Sequence, residues 1–128
     1  MEFKKERDYE FFKACEVIRK ESKEYISVSE IARLAIETKA SSFFLSEREI
    51  GKIIQEKRDH VPKSKAKAEL YWMIRRRYRQ IKANYPNMRI GNIIKHIALS
   101  GAPRFYITES SARDLYYQLL KHSPGKKI

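Results

Sequence analysis

The chain is short of the residues that interrupt regular structure. Four glycines and four prolines are spread over 128 residues, too few for the many tight turns of an all-β sandwich or barrel. A single cysteine, Cys15, excludes an internal disulfide, and no Cys/His spacing suits zinc. No apolar run approaches the roughly 20 residues of a membrane span. The opening residues, Met1-Glu2-Phe3-Lys4-Lys5-Glu6, lack the apolar stretch of a secretory signal. The expectation is a reduced, cytoplasmic, metal-free protein with no membrane partner. Acid is scarce as well, but only in one half. Residues 1–64 hold 14 Lys+Arg and 13 Asp+Glu, a net of +1, whereas residues 65–128 hold 14 and 3, a net of +11. No carboxylate occurs between Glu69 and Glu109. An excess so one-sided points to a polyanionic partner, nucleic acid before others.

What the chain does have is helical periodicity nearly throughout. Tyr9, Phe12, Cys15 and Ile18 recur about three apart over a first helix, about 4–23. Ser27-Val28-Ser29-Glu30 fits a capping box and opens a second helix, about 28–39, with Ile31, Leu34, Ala35 and Thr38 inward. Residues 40–45 read as extended. Ser46-Glu47-Arg48-Glu49 is a second capping box, opening a third helix, about 47–58, on Ile50, Ile53 and Ile54. His60-Val61-Pro62-Lys63-Ser64 is the one candidate linker, because Pro62 disfavours helix at Val61. A fourth helix, about 65–84, carries the basic run. A fifth, about 89–100, turns Ile90, Ile93, Ile94 and Ile97 inward and stops at Gly101. Residues 102–107 are extended again around Pro103, and Thr108 caps a sixth helix, about 109–121.

The two halves match at a shift of 62 residues. Ile31 falls on Ile93, Ala40 on Ala102, and Phe43-Phe44-Leu45-Ser46-Glu47 on Phe105-Tyr106-Ile107-Thr108-Glu109. At a shift of 63, Phe11, Cys15 and Ile18 fall on Ile74, Tyr78 and Ile81. The reading is an all-α fold of about six helices in two pseudo-duplicated three-helix units, a helix-turn-helix-like variant with short extended aromatic segments. The units are 1–61, near neutral, and 62–123, strongly basic, in one compact domain, with 124–128 a frayed tail. The extended segments at 42–45 and 104–107 are expected to pair as a short antiparallel ribbon. The segment Ala102-Pro103-Arg104-Phe105-Tyr106-Ile107, followed by a capped helix, resembles a group of small bacterial proteins, some from phage-like or mobile-element settings. The resemblance covers about residues 88–120; it implies such an origin and no catalytic activity. The first half has Ser41-Ser42 where the motif has its Pro-Arg pair.

The densest chemistry lies in Tyr71-Trp72-Met73-Ile74-Arg75-Arg76-Arg77-Tyr78-Arg79-Gln80-Ile81-Lys82. At about 100° per residue, Tyr71, Ile74, Tyr78 and Ile81 form one face and Trp72, Arg75, Arg76 and Arg79 an adjacent one. Guanidinium groups around an indole suit phosphate contact, with the ring able to stack on a base or sugar; the competing reading packs Trp72 into the core. The candidate nucleic-acid-binding residues are Arg75, Arg76, Arg79, Lys82, Arg89, Lys95, Arg104 and Trp72. Arg104 divides evenly between a phosphate contact and a structural role. His60, His96 and His122 are scattered, with no nearby carboxylate and nucleophile, and His96 is expected in the core. The three acids of the basic half are too separated for a two-metal nuclease, and there is no Gly-rich phosphate loop. No catalytic, metal or cofactor site is therefore expected. The function expected is non-catalytic DNA binding, as a regulator or accessory factor of a mobile element. DNA is preferred to RNA because no common RNA module is visible. The alternatives are a structural or adaptor protein whose two units dock protein partners, and an RNA binder; the N-terminal unit is the surface expected for a protein partner.

Overall fold

The computed structural model describes residues 3–56 and 62–122, with His122 described by its backbone alone. Six α-helices account for most of them: α1 (Lys4–Glu21), α2 (Val28–Ile36), α3 (Glu47–Gln55), α4 (Lys65–Asn84), α5 (Ile90–Leu99) and α6 (Glu109–His122). The fold is all-α, and no helix among the described residues is long and apolar enough to cross a membrane. The tail 124–128 and the first two residues of the candidate linker, His60 and Val61, lie outside the described residues.

The helix starts follow the capping residues. Ser46 and Glu49 form the full reciprocal box: Ser46 Oγ accepts the Glu49 N–H and Glu49 accepts the Ser46 N–H. At Ser27 the hydroxyl accepts the Glu30 N–H, but the Glu30 carboxylate turns to Arg33 instead. Helix α2 stops at Ile36, three residues earlier than the periodicity suggests. The Glu37 and Thr38 N–H groups reach back to the Leu34 and Ala35 carbonyls, and the Thr38 hydroxyl also donates to Ala35 O. Those short-range bonds tighten the last turn and take the place of continued helix.

Helices adjacent in sequence do not pair as the helix-turn-helix-like reading expects. Among the described residues α2 packs on α6 and α5 packs on α3, while α1 covers α2 and α6, and α4 covers α5 and α3. No α2–α3 or α5–α6 packing is present among them. The third helix of each half thus completes the core of the other half. This arrangement repeats under the 62–63 residue shift, with α2 on α6 matched by α5 on α3. Finer features repeat too. The Thr38 hydroxyl bond to Ala35 O is matched by Ser100 to Ile97 O, and the Ser46 cap by Thr108, which accepts the Ser111 N–H.

The halves meet where Ala40 and Ala102, themselves equivalent, exchange two backbone hydrogen bonds of 2.9 and 3.0 Å as an antiparallel bridge. The ribbon expected at 42–45 and 104–107 is reduced to this single bridge, placed just before both segments. Beyond it the Phe105 N–H is drawn to the Ile36 carbonyl, and Phe44 takes a left-handed backbone with φ of 58°. Contact continues through rings. Phe43 stacks on Tyr106 and Phe44 on Phe105, centroids 6.1 and 6.2 Å apart, and the two stacks are equivalent under the repeat. The Phe11 ring meets Phe105 edge-on at 5.5 Å, so the first helix anchors on the same cluster.

The core contains Cys15, Ile31, Phe43, Ile50, Ile53, Ile74, Ile93, Ile97 and Phe105, as the periodicity predicts. In α1 the buried line is Phe11 and Cys15; Phe12 and Ile18 are half-buried and Tyr9 is exposed. Leu34, Tyr78 and Leu115 are also only half-buried. Ala32 and Ile36 are buried on α2, against which α6 packs, and Ala112 and Tyr116 are buried on α6, where the helical spacing turns them inward.

Candidate nucleic-acid interface

Helix α4 packs along α5, and its outward face carries the exposed side chains Trp72, Arg76, Arg79 and Lys82. Trp72 is 54% exposed, so the core reading of this residue does not hold. It stands opposite the buried Leu70 and Ile74, and the Arg76 guanidinium lies over its ring at 5.2 Å from the centroid. An i, i+4 pair on a helix sets this up, and the cation is attracted to the indole face. Arg89, at the start of α5, and Lys95 are exposed on the same pair of helices. Six of the eight candidate residues therefore share the outside of α4 and α5.

The other two are engaged in the fold. Arg75 is turned inward, with its side chain only 18% exposed. It donates to the Ile53 carbonyl at 3.2 Å, pairs with Glu56 at 3.7 Å and lies over the Tyr71 ring at 5.3 Å. It thereby ties the end of α3 to α4, satisfying a carbonyl in the last turn of that helix. On the helical wheel Arg75 falls 60° from Trp72 toward the apolar face, which is why a count of arginines misplaces it. Arg104 pairs with Glu69 at 3.1 Å and Glu37 at 3.5 Å, joining α4 to the end of α2. Its guanidinium lies over Tyr106, and Arg77 lies over the stacked partner Phe43 while donating to Ser100 Oγ and the Gly101 carbonyl. Two cations thus flank one aromatic pair at the junction of the halves. Burial pushes the Tyr106 phenol above its ordinary value, with Arg104 and Arg77 pulling the other way. Arg104 is held by carboxylates rather than by the helix-end carbonyls that its structural reading expects.

Among the described residues the outer cations of α4 and α5 pair with no carboxylate, and the repeat shows why. In the first half, Glu16 takes a bidentate pair from Arg19 and accepts the Tyr116 hydroxyl at 2.8 Å. The equivalents of Glu16 and Arg19 are Arg79 and Lys82, and the equivalent of Tyr116 is Ile54, which has no hydroxyl to hold. Position 79 is thus released from the duty of position 16. In α2, Glu30 pairs with Arg33; in α5 the same places hold Asn92 and Lys95. Glu37, which binds Arg104, corresponds to Leu99, 86% exposed. The ring–cation pair alone survives in both copies: Lys13 lies over Tyr9 at 5.1 Å, as Arg76 does over Trp72.

Three exposed residues of this surface were not among the candidates. Tyr85 is 60% exposed at the end of α4, and Leu99 and His96 are exposed on α5. The core position expected for His96 is corrected: the α5 core line is Ile93 and Ile97, and position 96 lies off it. The repeat itself is the signal that finds Leu99, by setting it against Glu37. Among the described residues no group of three or more His, Cys, Asp or Glu is placed to hold a metal ion. No family of sequences, no curated protein and no solved structure matches the chain.

Proposed function

We propose that the chain is a non-catalytic nucleic-acid-binding protein, with DNA as its partner, and that it contacts phosphates through the outer faces of α4 and α5. The observation that carries this reading is the replacement of structural acid by base between equivalent positions. Where α1 has Glu16 and Arg19, α4 has Arg79 and Lys82, and where α2 has Glu30 and Arg33, α5 has Asn92 and Lys95. Solubility alone needs no such loss, since mixed charges serve it. Exposed cations on two packed helices, without carboxylate partners among the described residues, attract a polyanion and hold it by counterion release. An accessory or regulatory role in a mobile element fits such a protein, on the resemblance at residues 102–107.

The contact set is Arg76, Arg79, Lys82, Arg89 and Lys95. Five phosphate contacts give a log–log salt slope of about −4.5 on duplex DNA. The triple variant Arg76→Ala, Arg79→Ala, Lys82→Ala flattens that slope by about 3 units without loss of helix, since Ala is the best helix former and all three are exposed. The equivalent changes Lys13→Ala and Arg19→Ala leave the slope in place. Equal slopes for parent and triple variant move the site elsewhere. A parent that binds no nucleic acid at low salt leaves the adaptor reading in its stead.

A further inference from the structure

We infer that the outer face of α4 takes unpaired nucleic acid, with the Trp72 ring as a platform on which a base stacks. The inference rests on the phosphate-binding reading and adds which form of strand the surface fits. A 54% exposed indole on the outward side of a helix leaves apolar surface open to a ligand. The Arg76 guanidinium covers one part of the ring and fixes it against the helix. Farther along, the Tyr85 ring is 60% exposed. Tyr85 lies 13 residues on, about 140° around the helix from Trp72 at 100° per residue, so it stands off this face; Arg76 and Arg79, both exposed, follow Trp72 on it.

Two strand forms compete for this ridge. A duplex presents phosphates and groove edges, while its base faces are stacked inside; the cations would find partners and the Trp72 ring would not. A single strand presents phosphates and base faces together, and every base has a face to offer an indole. The exposed Trp72 ring with Arg76 and Arg79 on the same face of α4 matches the second. The first half has no such face: beyond its Tyr9–Lys13 pair, Glu16 is paired with Arg19 and Lys20 stands beside Glu21, which leaves no net positive charge for a phosphate chain. The selectivity thus follows from the same replacements that made the second half basic.

Trp72 is the sole tryptophan, so the emission of the intact chain reports on this one position. The test titrates the full-length protein at low salt with a short oligo(dT) and with a duplex of equal length, following tryptophan emission and the anisotropy of the labelled strand. Oligo(dT) is expected to quench the emission and to bind more tightly than the duplex. Trp72→Ala is expected to weaken oligo(dT) binding roughly five- to a hundredfold, to leave duplex binding unchanged, and to be largely rescued by Trp72→Phe. An emission unchanged on oligo(dT) binding, or a Trp72→Ala variant that binds oligo(dT) as the parent does, overturns the inference. If duplex binding in that case still shows the steep salt slope and loses it in the triple variant, the phosphate-binding reading stands alone. If neither strand form binds at low salt, both readings fall together.

Discussion

The single bond from Tyr116 to Glu16 joins residues 100 apart and fastens α6, the helix supplied by the second half, to α1. Tyr116 is fully buried, with its ring against Phe12 at 5.9 Å, and its hydroxyl donates at 2.8 Å to a carboxylate whose side chain is 12% exposed. Tyr116→Phe keeps the ring and removes only the donor. A hydrogen bond to a charged acceptor contributes about 1.5–3 kcal/mol. Glu16 keeps the bidentate Arg19 and some access to water, which places the expected loss near the low end, about 1.5 kcal/mol. That corresponds to a Tm lower by roughly 4–7 °C in a chain of this size. Urea denaturation followed by circular dichroism measures it, and a cycle with Glu16→Gln isolates the pair. Because Glu16→Gln also breaks the Arg19 pair, the coupling, not the single losses, is the deciding quantity. A Tyr116→Phe loss below about 0.5 kcal/mol, or strictly additive single effects, refutes the idea that this bond holds the exchanged helix. Tyr116→Ala, which also empties the ring site, is expected to cost about 3–5 kcal/mol.

Other outcomes follow from the same structure. Burial pushes the Cys15 thiol up from an ordinary value of 9.0 to about 12, with Glu16 adding to the shift. A raised folded value means stability that is complete below pH 9 and lost as the pH rises toward 12; melts across that range are expected to decline, and less steeply in Cys15→Ala, which keeps only the similar contribution of Tyr116. The same thiol is expected to resist alkylation until the whole domain opens, so labelling rates should track global stability. Two glycines are expected to respond in opposite directions. A methyl at Gly91 meets nothing within 4 Å, so Gly91→Ala should gain about 0.5 kcal/mol from helix propensity. At Gly101 a methyl lies 3.2 Å from the Ala40 carbonyl oxygen, a bridge acceptor, so Gly101→Ala should lower the Tm.

The helices and their caps were legible in the sequence because their causes are local: Ser46 with Glu49, and the isoleucine spacing in α3 and α5, act within a few residues. The exchange of α3 and α6 was not. The apolar faces of α2 and α6 look the same whichever helix they meet, so no periodicity distinguishes a neighbour in sequence from one supplied by the other half. The candidate site divided along the same line. The exposed cations Arg76, Arg79 and Lys82 follow from the helical wheel alone. The inward roles of Arg75 and Arg104 depend on Ile53, Glu56, Glu37 and Glu69, residues whose proximity is created by tertiary folding. The competing core reading of Trp72 rests on its size, while its helical angle argues for exposure, and the angle prevails.

All-helical domains of this size usually fold within microseconds to milliseconds because their contacts are local. Here the first two helices cannot close their apolar surface until α6 has been synthesised, and the Glu16–Tyr116 pair spans most of the chain. Loop closure over such separations must precede the contacts that reward it, which slows folding relative to an up-and-down bundle of the same length. On the ribosome, α1 and α2 emerge with Phe11, Ala32 and Ile36 uncovered and remain so while the basic half is translated. A stalled or truncated chain that lacks α6 therefore presents a sticky surface to chaperones and proteases, whereas the finished chain seals both ends of its core in one step.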